Sequence, residues 1–511
     1  MLDDLRHGAR VVGLARTLAR HDALFVLDAA GIPPPLAWIA RRLARPAPGR
    51  PGERLAAALA AMGPAFVKLG QALSVRPDLV GEAMAEDLST LQDRLPPFPA
   101  EAARGAVEAE LGRPLSDLYA SFEDEPVAAA SIAQVHFAVT TDGREVAVKI
   151  LRPGIEAAFA RDVALLDWLA RLALRLRPDL ARLKPVEVVA SFAATVKLEM
   201  DLRMEAAAAA ELAENVAGDD ELRIPAVDWS RTAARVLTLE RIAGIPVDER
   251  ERLIAAEHAP QTVLAKAARA LFKQAFRDGF FHADLHPGNL FVAEDGALVL
   301  VDFGIMGRLD AATRGHLAEI LLGFLAHDYD RVAAAHFEAG YVPADRSREA
   351  FGQACRSIGE PILGLPLADI SIARLLAQLF RIAESFGMET QPQLLLLQKT
   401  MVVAEGVGRG LDPSVNMWDL ARPLVEGWIA ERRSPEGQVR DALRDGLATA
   451  RRVPRLIAEA EATLAALRQG TVRLDPASLA ALGRARNRGL PGLVWALLGA
   501  AVALLAVALV G

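Results

Sequence analysis

Phe281-His282-Ala283-Asp284-Leu285-His286-Pro287-Gly288-Asn289, followed after an apolar run by Asp302-Phe303-Gly304, is the stretch on which the reading of this chain turns. Between the two lie Leu290-Phe291-Val292 and Leu298-Val299-Leu300-Val301, separated by the turn signal Glu294-Asp295-Gly296, and together they read as a β-hairpin. Such a hairpin carries Asp284 and Asn289 to one end and returns Asp302 to the same end. Three oxygen-bearing side chains then converge, as a hard divalent cation requires if it is to meet phosphate oxygens. For each short motif alone, a loop with N-cap carboxylates and a satisfied histidine is the plainer alternative.

The order of these groups resembles the protein-kinase signature, in which a catalytic Asp and an Asn share one loop and a metal-binding Asp opens a DFG. Such a chain needs a lysine upstream on a strand, and Glu145-Val146-Ala147-Val148-Lys149-Ile150 supplies it close to the VAIK pattern. The turn Thr141-Asp142-Gly143-Arg144 pairs Gln134 to Thr140 with Glu145 to Leu151. Without the downstream motifs, Lys149 would be an ordinary strand-face lysine. Before the first strand stand Ala128-Ala129-Ala130-Ser131, where a protein kinase has glycines. Each Cβ narrows the backbone angles and limits the approach of amides to phosphate, although plain helix is the other reading of an alanine-rich run. The long amphipathic segment Val186 to Val216 offers Glu205 as the acidic partner of Lys149. Glu199 and Asp201 are two apart and do not share one helix face, so if both matter the helix must begin or bend there. Ala234 to Gly244 reads as a buried strand leaving through a glycine, the hinge whose backbone around Glu240 and Ile242 would grip an adenine edge. After Gly304, Asp310 reads as an N-cap on a helix to about Phe324. No room is left for a peptide-docking activation segment, so a protein loop in the usual groove is not the expected substrate.

The chain has 511 residues, enough for a large bilobal domain with additions. Its formal net charge of -7 argues against nucleic acid as a partner. A lone Cys355 excludes an intrachain disulfide, suits a reducing compartment and reads as helix packing rather than as a nucleophile. No zinc-type Cys or His spacing occurs, and Met1 to Arg20 does not read as a signal peptide. Leu490 to Val510 carries no charge and is long enough to cross roughly 30 Å of hydrocarbon. Arg484, Arg486 and Arg488 precede it and should stay in the cytoplasm, while a buried terminal helix is the alternative. Further upstream, Ala65-Phe66-Val67-Lys68-Leu69-Gly70-Gln71 sits in a helical pattern continued by Ser74, Arg76, Pro77 and Asp78. Lys68 and Gln71 could reach into the cleft from outside the lobes. By spacing alone, a surface lysine beside a tight helix contact is favoured.

Taken together, these residues resemble the UbiB atypical kinase family, with a role in ubiquinone biosynthesis. The matching pieces are Lys68, Gly70 and Gln71 for its KxGQ motif, Ala129, Ala130 and Ser131 for its alanine-rich loop, and Lys149 with Glu205 for the strand lysine and its partner. They continue with Glu199 and Asp201 for its ExD pair, His282 to Asn289 for the catalytic loop, and Asp302 for DFG. The resemblance covers roughly Gly63 to Pro413. It implies an α+β, bilobal protein-kinase-like fold with a helical N-terminal KxGQ extension; many bacterial members resemble a protein with two terminal spans, whereas this chain offers one, the C-terminal transmembrane helix read from Leu490 to Val510. The domain limits that follow are 1–100 for the extension, 101–245 and 246–435 for the two lobes, 436–488 for a juxtamembrane linker and 489–511 for the span. The resemblance further implies ATP and Mg²⁺ as cofactors, Asp284 as base or water-orienting group, Asn289 and Asp302 as metal ligands, and Lys149 with Glu205 as phosphate clamp. Lys68 and Gln71 would gate the cleft, with the Glu199 and Asp201 carboxylates holding that lid. The expected partners are membrane lipids, quinone precursors and other ubiquinone-biosynthesis proteins, at a bacterial-type inner membrane with the kinase-like part in the cytoplasm. Phosphotransfer to a lipid-like or protein acceptor, or a nucleotide-responsive scaffold for quinone-synthesis enzymes, are the alternatives.

Overall fold

Along β4 (Glu145–Leu151), Val146, Val148 and Ile150 are buried while Ala147 and Lys149 are only partly so, the period of two that separates the faces of a strand. The apolar face packs with Val107, Leu118 and Phe122 in one core cluster. Lys149 is thereby left on the opposite face. In the computed structural model, described over residues 2–26, 46–74, 80–89, 91, 96–176, 178, 184–362, 372–388, 391–415 and 422–428, β4 pairs antiparallel with β3 (Ala133–Thr140) and with β6 (Val236–Glu240). β1 (Tyr119–Phe122) and the short β2 (Ala128–Ala129) both join β3. The hairpin expected around Thr141 to Arg144 is therefore present, with Gly143 at φ 86°. The alanine-rich run begins as strand rather than helix.

Before the sheet come α1 (Leu2–Arg20), α2 (Pro51–Met62), α3 (Pro64–Ser74), α4 (Glu82–Ser89), α5 (Ala100–Leu111) and α6 (Leu115–Leu118). Leu18, Leu55, Leu59, Phe66, Leu88 and Leu91 gather the first four of these helices around their own core, while α5 and α6 pack on the β4 sheet. Gly63, at φ 110°, turns the chain from α2 into α3. Gly70 has a different role: a Cβ there would meet Leu91 Cδ1 at 2.3 Å and Leu59 Cδ1 at 2.9 Å. The tight helix contact read from sequence is thus at Gly70. The continuation through Arg76, Pro77 and Asp78 lies outside the described residues.

After β4 run α7 (Ile155–Leu176), α8 (Pro185–Glu199) and α9 (Leu202–Asn215). The single segment expected over Val186 to Val216 is two helices broken at Met200 and Asp201. The cause is local: the Asp201 carboxylate accepts from Arg203 N at 3.2 Å and caps α9, a bond available to Asp only outside the helix. A second sheet orders β5 (Leu222–Arg223), β10 (Leu298–Leu300), β9 (Leu290–Val292) and β7 (Ile245–Pro246), with β5 parallel to β10. β8 (Phe280–His282) pairs with β11 (Met306–Arg308). Around them pack α10 (Arg250–Ala255), α11 (Pro260–Phe272), which continues as a π-helix over Lys273–Asp278, and α12 (Ala311–Leu325). The Asp310 carboxylate accepts from Thr313 N at 2.7 Å and caps α12 as expected, so only β11 separates the DFG from the helix. α13 (Tyr329–Glu338), α14 (Arg348–Gly359), α15 (Ile372–Ser385) and α16 (Pro392–Leu411) follow, and residues 422–428 are helical again.

Among the described residues no helix is long and apolar enough to cross a membrane. The expected linker at 436–488 and span at 489–511 lie outside those residues. Gly70→Ala should force Leu91 and Leu59 apart and cost about 1–3 kcal/mol in urea unfolding, as overpacking does. Unchanged stability would mean that α3 is not held against Leu59 and Leu91.

Candidate active site

β4 presents Lys149 to α9, where Glu205 stands one turn after the Asp201 cap. Lys149 Nζ donates to Glu205 Oε1 and Oε2 at 2.8 and 2.9 Å, and to Asp302 Oδ1 at 2.9 Å. One ammonium thus joins two carboxylates from different parts of the chain. Burial alone would lower the Lys149 pKa, but Asp302 and Glu205 together overcome that and raise it well above the usual lysine range. Burial pushes Glu205 up to about 7 against the pull of Lys149, with the Asp302 charge adding to the rise. The Lys149 charge holds Asp302 well below the usual carboxylate range despite burial.

Asp302 adopts φ 61°, a left-handed conformation costly for a residue with a Cβ. Its surroundings fix that geometry. His282, fully buried, places Nε2 at 2.9 Å from Asp302 O and 3.1 Å from Val301 O, while its Nδ1 accepts from Asp284 N at 3.2 Å. Those partners assign the proton to Nε2, and burial lowers the ring pKa, so the imidazole is neutral. His282 therefore bolts the Asp284 loop to the Asp302 backbone. Its own N–H donates to Gln274 Oε1 at 2.9 Å, and Gln274 belongs to the π-helix, a distortion frequent at functional sites. At the neighbouring pair, a Cβ on Gly307 would stand 2.1 Å from the Phe281 ring, so glycine permits β11 to lie against β8.

Asn289 Nδ2 donates to Asp284 O at 3.0 Å, which leaves the amide oxygen as the hard donor a cation needs. The Asp284 carboxylate itself meets Lys399 Nζ at 3.5 Å. Ala129 lies in β2, Ala130 N donates to Ala133 O at 2.8 Å, and Ser131 is fully buried. Of the three, Ala129 and Ala130 keep partial exposure while Ser131 is enclosed. Glu240 ends β6, with its carboxylate accepting from Ala226 N at 3.2 Å, and Ile242 follows on the connection to β7.

From the N-terminal extension, Lys68 Nζ reaches Glu199 Oε2 at 3.1 Å, both side chains being largely enclosed. Its charge also contributes to holding the Asp302 carboxyl down. Gln71 Nε2 donates to Leu91 O at 3.4 Å. The two ExD carboxylates divide: Glu199 holds Lys68, whereas Asp201 pairs with Arg203 at 2.7 Å and caps its own helix. Of the two, Glu199 is seen in contact with Lys68 of the extension. Lys399 and Gln274 were not anticipated, since neither lies in a short motif. A charged residue interrupting the apolar face Leu394 to Val403 was the available signal for Lys399.

The chain matches the model of the ABC1 atypical kinase-like domain over residues 90–336 and that of the UbiB helical domain over 355–416. It is 44% identical over 393 residues to a probable protein kinase UbiB of Marinobacter nauticus, covering 76% of this chain and 72% of the relative. A probable protein kinase UbiB of Pseudomonas paraeruginosa is 42% identical over 442 residues, covering 85% and 81%. A Mycobacterium tuberculosis protein solved in complex with erythromycin superposes with TM-score 0.52 at 28% identity, over 71% of this chain and 92% of that one. The fold and these likenesses define an atypical kinase-like enzyme. More narrowly, the chain belongs to the UbiB family.

A double-mutant cycle on Lys68→Met and Glu199→Gln should return a coupling of about 1 kcal/mol or more in urea unfolding, since both side chains are largely enclosed. Additive effects would show that the extension is held by its apolar contacts alone.

Proposed function

We propose that this chain is a membrane-anchored, kinase-like ATPase that supports ubiquinone biosynthesis. The observation that carries the nucleotide part is the convergence of Lys149, Glu205 and Asp302 within 2.9 Å contacts, beside Asp284 and Asn289. The donor set fits Mg²⁺, because Asp302 offers a carboxyl that the Lys149 charge holds well below the usual range and Asn289 an amide oxygen, both hard ligands. When bound, Mg²⁺ would neutralise charge on the transferring phosphates.

The chain's own residues do the rest. Lys149 would exchange its contact with Asp302 for a phosphate oxygen while Glu205 keeps it oriented. Asp284 would accept the proton of the attacking water as its oxygen bonds to the γ-phosphorus and the bridging P–O bond breaks, giving ADP and inorganic phosphate. Ala129, Ala130 and Ser131 would line the phosphate side, and the backbone near Glu240 and Ile242 the adenine side. Lys68, Gly70, Gln71 and Glu199 would form a fixed lid that disfavours a protein acceptor. The lack of chain between the DFG and α12 supports the same exclusion.

Ubiquinone biosynthesis rests on the family resemblance, and it implies lipid quinone precursors and other enzymes of that synthesis as partners. Leu490 to Val510 would be the membrane anchor, with the arginines before it keeping the kinase-like part on the cytoplasmic side of a bacterial-type inner membrane. Asp302→Asn should abolish Mg²⁺-dependent ATP turnover while the purified protein keeps a cooperative thermal transition. Undiminished turnover would remove Asp302 from the metal site. In a deletion strain, wild type should restore quinone content and Asp284→Asn should not; full restoration by the variant would favour a scaffold.

A further inference from the structure

The catalytic loop carries no permanent positive charge of its own: Asp284 to Asn289 contains neither Lys nor Arg, and the His286 Nδ1 accepts from Gly288 N at 3.1 Å. The lysines already described are engaged elsewhere, Lys149 with Glu205 and Asp302, and Lys68 with Glu199. The cation that meets the Asp284 carboxylate comes instead from α16, as Lys399, 115 residues away in sequence. We propose that Lys399 is a positioning residue for Asp284, so that the UbiB helical segment completes the site of the kinase-like part. This rests on the reading of Asp284 as the group that orients the attacking water.

The mounting of α16 supports a positioning role. Leu394, Leu396 and Leu397 pack against Ala275, Phe281, Ala283 and Leu309, the residues directly beneath the Asp284 loop. Immediately after Lys399, Thr400 is fully buried and its Oγ1 donates to Leu396 O at 2.9 Å. Further along, Val407 and Leu411 enter the core that also holds Leu285, Leu290 and Phe303, and Leu411 O accepts from Arg250 Nε at 3.1 Å. The register of the helix is thus fixed on both sides of Lys399, as a precise site requires.

Stability does not account for the pair. The side chains of Lys399 and Asp284 retain 35% and 34% exposure, and ion pairs that open to water contribute little to folding. The same openness leaves both groups accessible to a substrate. Fixed on a rigid helix, the ammonium restrains the rotation of a carboxylate that the loop itself holds only through its backbone. Positional errors of this kind reduce the chemical step more than binding.

Steady-state Mg·ATP turnover of the full-length protein tests this with Lys399→Met, Lys399→Arg, Asp284→Asn and the double variant Asp284→Asn/Lys399→Met. Lys399→Met should lose about 10–100-fold in kcat. Its KM for ATP and its ADP affinity should stay within about twofold of wild type, the pattern of an interaction made for the chemical step. Lys399→Arg should regain most of that loss, and the double variant should be no slower than Asp284→Asn, since groups acting as one unit are not additive. A wild-type kcat in Lys399→Met, a loss confined to KM, or a loss that multiplies on the Asp284→Asn background would overturn the proposal. Wild-type protein without any Mg·ATP turnover would overturn the ATPase reading itself.

Discussion

One ammonium, that of Lys149, holds the molecule's functional parts in register. It binds Glu205, 56 residues downstream on α9, and Asp302, 153 residues downstream beyond the β9–β10 hairpin. The first sheet, the helix after the Asp201 cap and the catalytic hairpin are thereby tied at one point. One cation bridges two carboxylates, and its charge holds the Asp302 carboxyl well below the usual range while burial pushes Glu205 up.

The backbone around Asp302 is held as firmly as its side chain. A left-handed Asp persists only where its neighbours over-determine it. Here the neutral His282 fastens the carbonyls of Val301 and Asp302 while also accepting from Asp284 N. Gln274, from the π-helix, fixes the His282 backbone in turn. The histidine that links the two signature motifs is therefore a hydrogen-bonding bolt, and burial lowers its ring pKa.

Much of this was legible because the informative residues sit in short, chemically constrained runs. The hairpin between Asn289 and Asp302, the paired strands around Thr141 to Arg144, and the Asp310 cap all follow from turn and capping chemistry that acts locally. The Lys149–Glu205 contact was legible through residue type and order. The break at Met200 was only half legible: the spacing of Glu199 and Asp201 required a bend only if both carboxylates had a role, and the apolar pattern ran on through it. The separation of the ExD carboxylates was not legible, since the preference of Asp201 for its own cap and Arg203 depends on where α9 begins. Lys399, Gln274 and the parallel pairing of β5 arise from tertiary contacts across long stretches of chain, where a local pattern carries no signal.

The most direct test of the central claim is labelling of the full-length protein with an acyl-phosphate derivative of ATP, which transfers its acyl group to a lysine held at the phosphates. Peptide mapping by mass spectrometry should place the modification on Lys149, with loss of labelling when Mg·ATP is added in excess. Label confined to lysines outside the cleft, or label on Lys149 that Mg·ATP does not suppress, would contradict a shared nucleotide site built from Lys149, Asp284, Asn289 and Asp302.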